Sequence, residues 1–192
     1  MMNPNQDLAR MLKFYRQQKS WSLDKTAHET GVSKAMLGQI ERGESSPTVA
    51  KLWKIATGMQ LSLSQLLEPD HAQNNTLTPR NQKPTIRQAA ALRQQQTVDD
   101  MLVSTLFPYD PQLKFEVFEI TLLPGFEKHA QAHAKGVIEH ALMINGQMDL
   151  LIEDTWQVLI NGDSIRFNAD QLHGYRNSTK DVAIFHNIIY YP

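Results

Sequence analysis

The sequence predicts an α + β chain of two domains, five short helices followed by antiparallel strands in a sandwich or β-barrel. Three observations carry that prediction. Apolar residues recur at helical spacing as far as Leu67, then give way to short alternating runs from Met101 onward. Between them, Pro69 to Pro84 is rich in Asn, Gln, Pro and Thr and has one large apolar residue, Leu77, a composition that cannot bury a core. The length, 192 residues, allows one large domain or two small ones. The expected division is residues 1–68, a polar linker over 69–96 with a short helix from Ile86 to Gln96, and residues 97–192.

Each helix has a local reason. Asp7 to Gln18 places Leu8, Met11, Leu12 and Tyr15 on one face. Ser22 sits where an N-cap is wanted, so a second helix runs from Leu23 to Thr30 and ends at Gly31. Ser33 caps a third, which runs to Arg42 and stops at Gly43. Pro47 and Thr48 open a fourth, with Val49, Leu52, Ile55 and Ala56 on one side, and Leu61 to Leu67 makes a fifth.

Composition narrows the chemistry. With no cysteine, disulfide frameworks, thiolate catalysis and sulfur-based zinc fingers are excluded, and any metal must be held by histidine, carboxylate, amide or water. No apolar run approaches the ~20 residues of a membrane span, and Met1 to Arg10 is too polar for a secretory signal, so a soluble cytoplasmic protein is expected. The net charge of −1 conceals an asymmetry. Residues 1–68 carry nine Lys/Arg against six Asp/Glu, and residues 69–192 carry ten against fourteen. A basic first part and an acidic second suggest that only the first meets nucleic acid.

Two helices joined by Thr30-Gly31-Val32-Ser33 make a helix-turn-helix. With Val32, Leu37 and Ile40 facing inward, Lys34, Ala35, Gly38, Gln39 and Arg42 point outward. Gln39 suits bidentate pairing with adenine, Lys34 reaches guanine or phosphate, and Ala35 meets a thymine methyl. Ser22, Ser33, Ser45, Ser46 and Thr48 lie near helix N-termini, where hydroxyls and backbone N–H groups suit phosphate as well as plain capping. The string GVSKAMLGQIERG at 31–43, followed by Pro-Thr-x-x-x-Leu-x-x-Ile-Ala, resembles the phage-repressor-like XRE family over about sixty residues. That resemblance implies a scaffold ion pair between Arg16 and Glu41. Thr26, where the family usually has leucine, and Leu23, where many members have glutamine, depart from the pattern.

The second half reads as strands over Met101–Phe107, Leu113–Leu122, Val137–Ile144, Gln147–Glu153, Thr155–Ile160, Ser164–Phe167, Gln171–Arg176 and Val182–Tyr190. Asn145-Gly146 and Asn161-Gly162 are hairpin signals, and strands at this spacing indicate an antiparallel sandwich or barrel. The stretches from His133 to Gly146 and from Gly162 to Asn177 resemble the two cupin motifs, which implies a double-stranded β-helix. Anchored on Glu139, the first motif puts His133 at its first histidine position and Lys135 where a second histidine is usual. In the second, Gly162, His173 and Asn177 fit, while Asn168 and Asp170 replace proline and glycine. A competing alignment makes Gln131 the first position and His133 the second, at the expense of a longer gap to Glu139.

The cupin resemblance implies a metal site at His133, Glu139 and His173. His133 and Glu139 share strand parity, so both are expected to face the barrel interior, with His173 arriving from the opposite strand. Two imidazoles and a carboxylate with open positions hold one divalent metal, zinc first, with nickel, manganese and iron(II) as the other candidates. A metal-free barrel whose polar residues bind a small molecule directly is the alternative. Lys135 is a partner for an effector carboxylate. Gln131 joins it as an effector contact, as does His186 if it lines the barrel from the last strand. His140, of opposite parity, is expected at the surface or in packing, and His129 in a loop.

Both halves together, with LFPYDPQLKFE at 106–116, KGVIEH at 135–140 and the closing Tyr191-Pro192, resemble the XRE–cupin regulators, in particular the sulfur-utilisation group of enteric bacteria. The resemblance implies a homodimeric transcriptional regulator, not an enzyme. It would bind a double-stranded DNA operator and respond to a small-molecule effector such as a sulfur-containing amino acid. The rival reading is a metal-dependent cupin oxygenase or isomerase fused to a DNA-binding domain. Against it, no general acid–base pair stands out beyond the three ligands.

Overall fold

The computed structural model describes residues 4–67, 86–89, 100–130 and 132–192. The expected linker core from Pro69 to Pro84, Gln131 and most of the helix expected over Ile86–Gln96 lie outside the described residues. The chain divides into two compact units, Met1–Pro84 and Thr85–Pro192.

The first unit contains α1 (Pro4–Gln18), α2 (Leu23–Thr30), α3 (Lys34–Glu41), α4 (Val49–Gly58) and α5 (Leu63–Leu67). Their apolar faces meet in one core of Met11, Leu12, Leu37, Ile40, Ile55, Met59, Leu63 and Leu66. The Ser22 hydroxyl caps α2 by accepting from the Lys25 N–H, and Gly31 closes it at φ 64°, a left-handed turn that glycine adopts without strain. Thr26, the polar departure from the family pattern, is fully buried, and its hydroxyl donates to the Ser22 carbonyl at 2.9 Å. A satisfied hydroxyl therefore stands where leucine is usual, without an orphaned polar atom. Gly38 is buried against the scaffold, not presented outward as its helical position suggested. A Cβ there would lie 3.2 Å from an Arg42 guanidinium nitrogen and 3.9 Å from Leu23.

The second unit is built from β1 (Met101–Asp110), β2 (Phe115–Leu122), β3 (Glu127–Ala130), β4 (Ile138–Asn145), β5 (Gln147–Ile152), β6 (Thr155–Ile160), β7 (Ser164–Asn168), β8 (His173–Arg176) and β9 (Ala183–Tyr190). They form two antiparallel sheets, ordered β1-β2-β9-β4-β7 and β3-β8-β5-β6. The sheets share a core: the Tyr175 ring of β8 stacks on Phe185 of β9, with centroids 5.3 Å apart. Strand β3 went unread because its four residues, Glu-Lys-His-Ala, carry no alternation of large apolar side chains.

Both Asn-Gly pairs are sheet-to-sheet corners, not hairpins. Asn145-Gly146 leads from β4, paired with β7 and β9, to β5, paired with β6 and β8. Asn161-Gly162 makes the return passage from β6 to β7. The positive φ of Gly146 and Gly162, 77° and 92°, serves any sharp change of direction, and the dipeptide does not say which strands pair afterwards. A true two-residue hairpin turn lies between β5 and β6, where Glu153 and Asp154 adopt φ 49° and 62°. Without glycine, that turn carried no signal.

Candidate functional site

In the first unit, α1 and α3 are held together by a half-buried arginine fork. Arg16 Nε and a terminal nitrogen bind the two Glu41 carboxylate oxygens at 2.6 and 2.8 Å, and its remaining nitrogen donates to the Trp21 carbonyl at 2.9 Å. The Glu41 interaction raises the Arg16 pKa further above its ordinary value, against the opposing effect of burial. The pair orients α3 and is spent on scaffold, as the resemblance implied.

The face that α3 leaves open carries Lys34, Ala35, Gln39 and Arg42, all exposed. Ser33 accepts from the Met36 N–H and so caps α3, while Thr48, the N-cap residue of α4, makes no side-chain cap bond. Ser45 is half-buried and Ser46 exposed in the segment leading to α4. Both cations on this face are engaged with carboxylates. Lys34 Nζ lies 2.8 Å from Asp24, and Arg42 makes a two-pronged contact with Glu44 at 2.8 and 2.6 Å. Asp24 and Glu44 were not anticipated, because an acidic residue near a DNA-reading helix runs against simple charge matching. Trp21 nearby has the Lys19 and Lys25 ammonium groups over its ring at 5.4 and 6.0 Å.

In the second unit, His133, Glu139 and His173 each bring a ligand atom into one cluster, all within 4.8 Å of one another. The route differs from the expected one. Strand β4 begins at Ile138, so His133 is not on it and the shared-parity argument does not apply. His133 lies on the preceding loop, which is pinned by its own N–H to the Ala169 carbonyl at 2.9 Å and by the Gly136 N–H to the Asp170 carboxylate at 2.8 Å. Asp170, a departure from the cupin pattern, thus anchors the histidine-bearing loop. Glu139 arises from β4 in one sheet and His173 from β8 in the other.

The hydrogen bonds around the cluster aim its lone pairs. Glu139 Oε2 accepts from the Tyr175 hydroxyl at 2.5 Å and from Asn187 Nδ2 at 2.9 Å. Oε1 is left facing the imidazoles, 2.8 Å from His133 Nε2 and 3.8 Å from His173 Nε2. His173 Nδ1 sits 2.9 Å from the Gln171 carbonyl oxygen. A carbonyl only accepts, so Nδ1 carries the hydrogen and Nε2 of the neutral ring turns its lone pair toward Glu139. Two electron-pair donors aimed at one buried point need a proton or a cation between them. Burial works to raise the Glu139 pKa, but the His133 hydrogen bond and charge, then His173 and Tyr175, outweigh it and bring it to about 2. Burial, then the Glu139 charge, pushes the Tyr175 phenol well above its ordinary value, so it remains a donor. An ionised carboxylate and two imidazoles, oriented by outer hydrogen bonds, fit a divalent metal.

The remaining predicted residues divide. Lys135 is exposed on the His133 loop, outside the buried cluster, and Gln131 is outside the described residues. His186 does not line the interior. The buried residues of β9 are Ala183, Phe185, Asn187 and Ile189, so His186 has the opposite parity and lies 3.6 Å from Glu119 on the outer face. His129 is on β3 and not in a loop, with its ring edge-on to Trp156. His140 is half-buried on the outer face of β4. Tyr175 and Asn187 were missed, although Tyr175 is two residues beyond His173 and so on the same face of β8.

Among the described residues, no helix is long and apolar enough to cross a membrane. The HTH_3 helix-turn-helix family model matches residues 12–66. Over all 192 residues the chain is 46% identical to the HTH-type transcriptional regulator SutR of Escherichia coli (strain K12), covering 99% of that protein. The crystal structure of an HTH_3 family transcriptional regulator from Vibrio cholerae is 41% identical, with a TM-score of 0.82 over 98% of this chain and 97% of that one. A Cupin_2 domain of an XRE family transcriptional regulator from Enterobacter cloacae is 40% identical over 49% of this chain and 99% of its own, with a TM-score of 0.48. Identity at this level, sustained from end to end, establishes the relationship: the chain belongs to the HTH-type transcriptional regulator family that includes SutR.

Proposed function

We propose that this protein is a sequence-specific DNA-binding regulator whose second, cupin-like unit senses a small metabolite at a metal centre. The DNA-reading half of the proposal rests on α3, which presents Lys34, Ala35, Gln39 and Arg42 outward while Leu37 and Ile40 fix it to the core. Ser22, Ser33, Ser45, Ser46 and Thr48 are assigned to phosphate contacts around it. The protein acts in the cytoplasm as a homodimer, with its two recognition helices ~34 Å apart to meet successive major grooves. The sensing half rests on Glu139 Oε1, which faces two histidine nitrogens in a buried cluster. Zinc is the preferred occupant, since two imidazoles and one carboxylate leave a fourth position open for an effector group. A sulfur-containing amino acid is the proposed effector, with Lys135 at the entrance. Ligand binding changes DNA affinity only so far as it favours one arrangement of the dimer over another.

Two measurements on the full chain test this reading. Selection from random duplexes should enrich a motif of two half-sites, and elemental analysis should find about one divalent metal per chain. His173→Ala and Glu139→Gln should lose the metal. A pool that enriches no motif refutes DNA reading, and metal content indifferent to both substitutions refutes the centre. Turnover of a small molecule by the iron-loaded protein would move the second unit into the enzyme class.

A further inference from the structure

The three residues of the buried cluster are not held equally. Glu139 lies within β4, paired with Phe167 of β7 on one side and Ile189 of β9 on the other. His173 begins β8, between Ala130 of β3 and Ile152 of β5. Both therefore have hydrogen-bonded strands on either flank. His133 sits instead on the loop before β4, and its side chain is 9% exposed, against 2% for each of the other two. The cluster meets solvent through His133, and the opening that disturbs fewest hydrogen bonds is an outward swing of that loop. The loop is tied to the β7–β8 connection by the bonds to Ala169 and Asp170. It is also packed against Pro192: a Cβ on Gly136 would lie 3.0 Å from Pro192 Cγ, and Gly136 has φ 85°. Glycine alone permits both that backbone and that approach. Tyr191 presents the proline ring and is itself fixed at three points on the β1–β2 hairpin. Its N–H donates to the Lys114 carbonyl at 2.8 Å, its hydroxyl donates to the fully buried Glu116 carboxylate, and its ring stands edge-on to Tyr109 with centroids 5.4 Å apart.

We propose that Tyr191 and Pro192 form a clasp that governs opening of the His133 loop, and with it the exchange of metal at the cluster. Closed, the clasp keeps the loop where His133 Nε2 stands 2.8 Å from Glu139. Released, His133 leaves with its loop while Glu139 and His173 stay fixed in their sheets. Both clasp residues act on the ligand through its loop, as positioning residues. The metal-exchange part of this inference rests on the metal-centre reading. The clasp itself does not, because its contacts are made between residues of the chain.

Two measurements on the full chain test the clasp: native-state amide exchange by NMR without metal, and chelator-driven release of zinc from the loaded protein. Pro192→Gly removes the ring and leaves Tyr191 anchored, and ending the chain after Tyr190 removes both residues. In each variant, exchange at the His133 and Gly136 amides and the rate of zinc release should rise ~10-fold or more, the scale on which losing an outer support weakens a ligand. Amides of β4 and β8 should keep their wild-type rates, whereas a general loss of stability would speed them in parallel. Tyr191→Phe, which removes only the hydroxyl anchor, should shift both readouts in the same direction by less. Unchanged loop exchange in Pro192→Gly and in the shortened chain overturns the proposal. So does a rise shared equally by β4 and β8, or faster loop exchange with zinc release unchanged. A wild-type chain that takes up no zinc refutes the metal-centre reading, and amide exchange then decides the clasp by itself.

Discussion

The Tyr175 hydroxyl reaches from one sheet to the other to donate a 2.5 Å hydrogen bond to Oε2 of Glu139. With Asn187 on the same oxygen, it commits half of the carboxylate and leaves Oε1 for the two histidines. Tyr175→Phe keeps the ring stacked on Phe185 and removes only the donor. Denaturant unfolding of metal-free protein should show a loss of ~1–3 kcal/mol, the range for a buried hydrogen bond to a charged group. Competitive titration should show metal affinity reduced ~10–100-fold, as when an outer partner of a ligand is lost. Unchanged metal affinity would limit Tyr175 to a packing role.

Gly58→Ala sets two local effects against each other. Alanine is favoured over glycine within a helix by ~1 kcal/mol. At this position, however, a Cβ would sit 2.4 Å from the Glu29 carbonyl oxygen and 2.6 Å from the Thr30 Cα, both backbone atoms of α2 that cannot rotate away. Overpacking of this kind costs ~1–3 kcal/mol or more. The first unit should therefore be destabilised in thermal or denaturant unfolding, whereas a gain would show that α2 and α4 separate easily.

Gln39→Ala should remove ~1–3 kcal/mol of discrimination at a single base position if Gln39 reads adenine. The check is binding to the selected operator and to its single-base variants. A uniform loss across all of them would place Gln39 on the phosphate backbone.

The carboxylates beside Lys34 and Arg42 compete with phosphate for the same cations. Asp24→Asn should tighten binding to a non-specific duplex by up to ~5-fold, the ceiling for releasing an exposed ion pair. Glu44→Gln should act in the same direction through Arg42. Operator binding should gain less than non-specific binding, so the ratio between them narrows. Fluorescence anisotropy at fixed salt would measure both, and unchanged non-specific affinity would mean that the two ion pairs persist on DNA.

Much of the architecture was legible because its signals are local. Period-3.6 spacing, Ser22 and Ser33 as caps and Gly31 as a stop marked the first helices, since each works within one or two turns of chain. Strand existence was equally legible in the alternating runs, apart from the short, polar β3. The residues His133, Glu139 and His173 were marked by motif spacing, which records a resemblance without describing how the atoms meet.

What only the tertiary structure decided is which distant segments pair and which way their side chains then face. A shift of one residue in parity turned His186 away from the interior toward Glu119, and the absence of a strand under His133 made its loop, held by Ala169 and Asp170, the device that brings it to Glu139. The Asn-Gly pairs marked changes of direction but not their destinations. The groups that aim Glu139 stand 36 and 48 residues away from it in sequence. Residue patterns by themselves determined the helices, most of the strands and the chemistry available, because backbone preference and side-chain periodicity are short-range. Register and sheet pairing determined the lone-pair geometry at Glu139, because they are settled by packing and hydrogen bonding between segments that no local pattern connects.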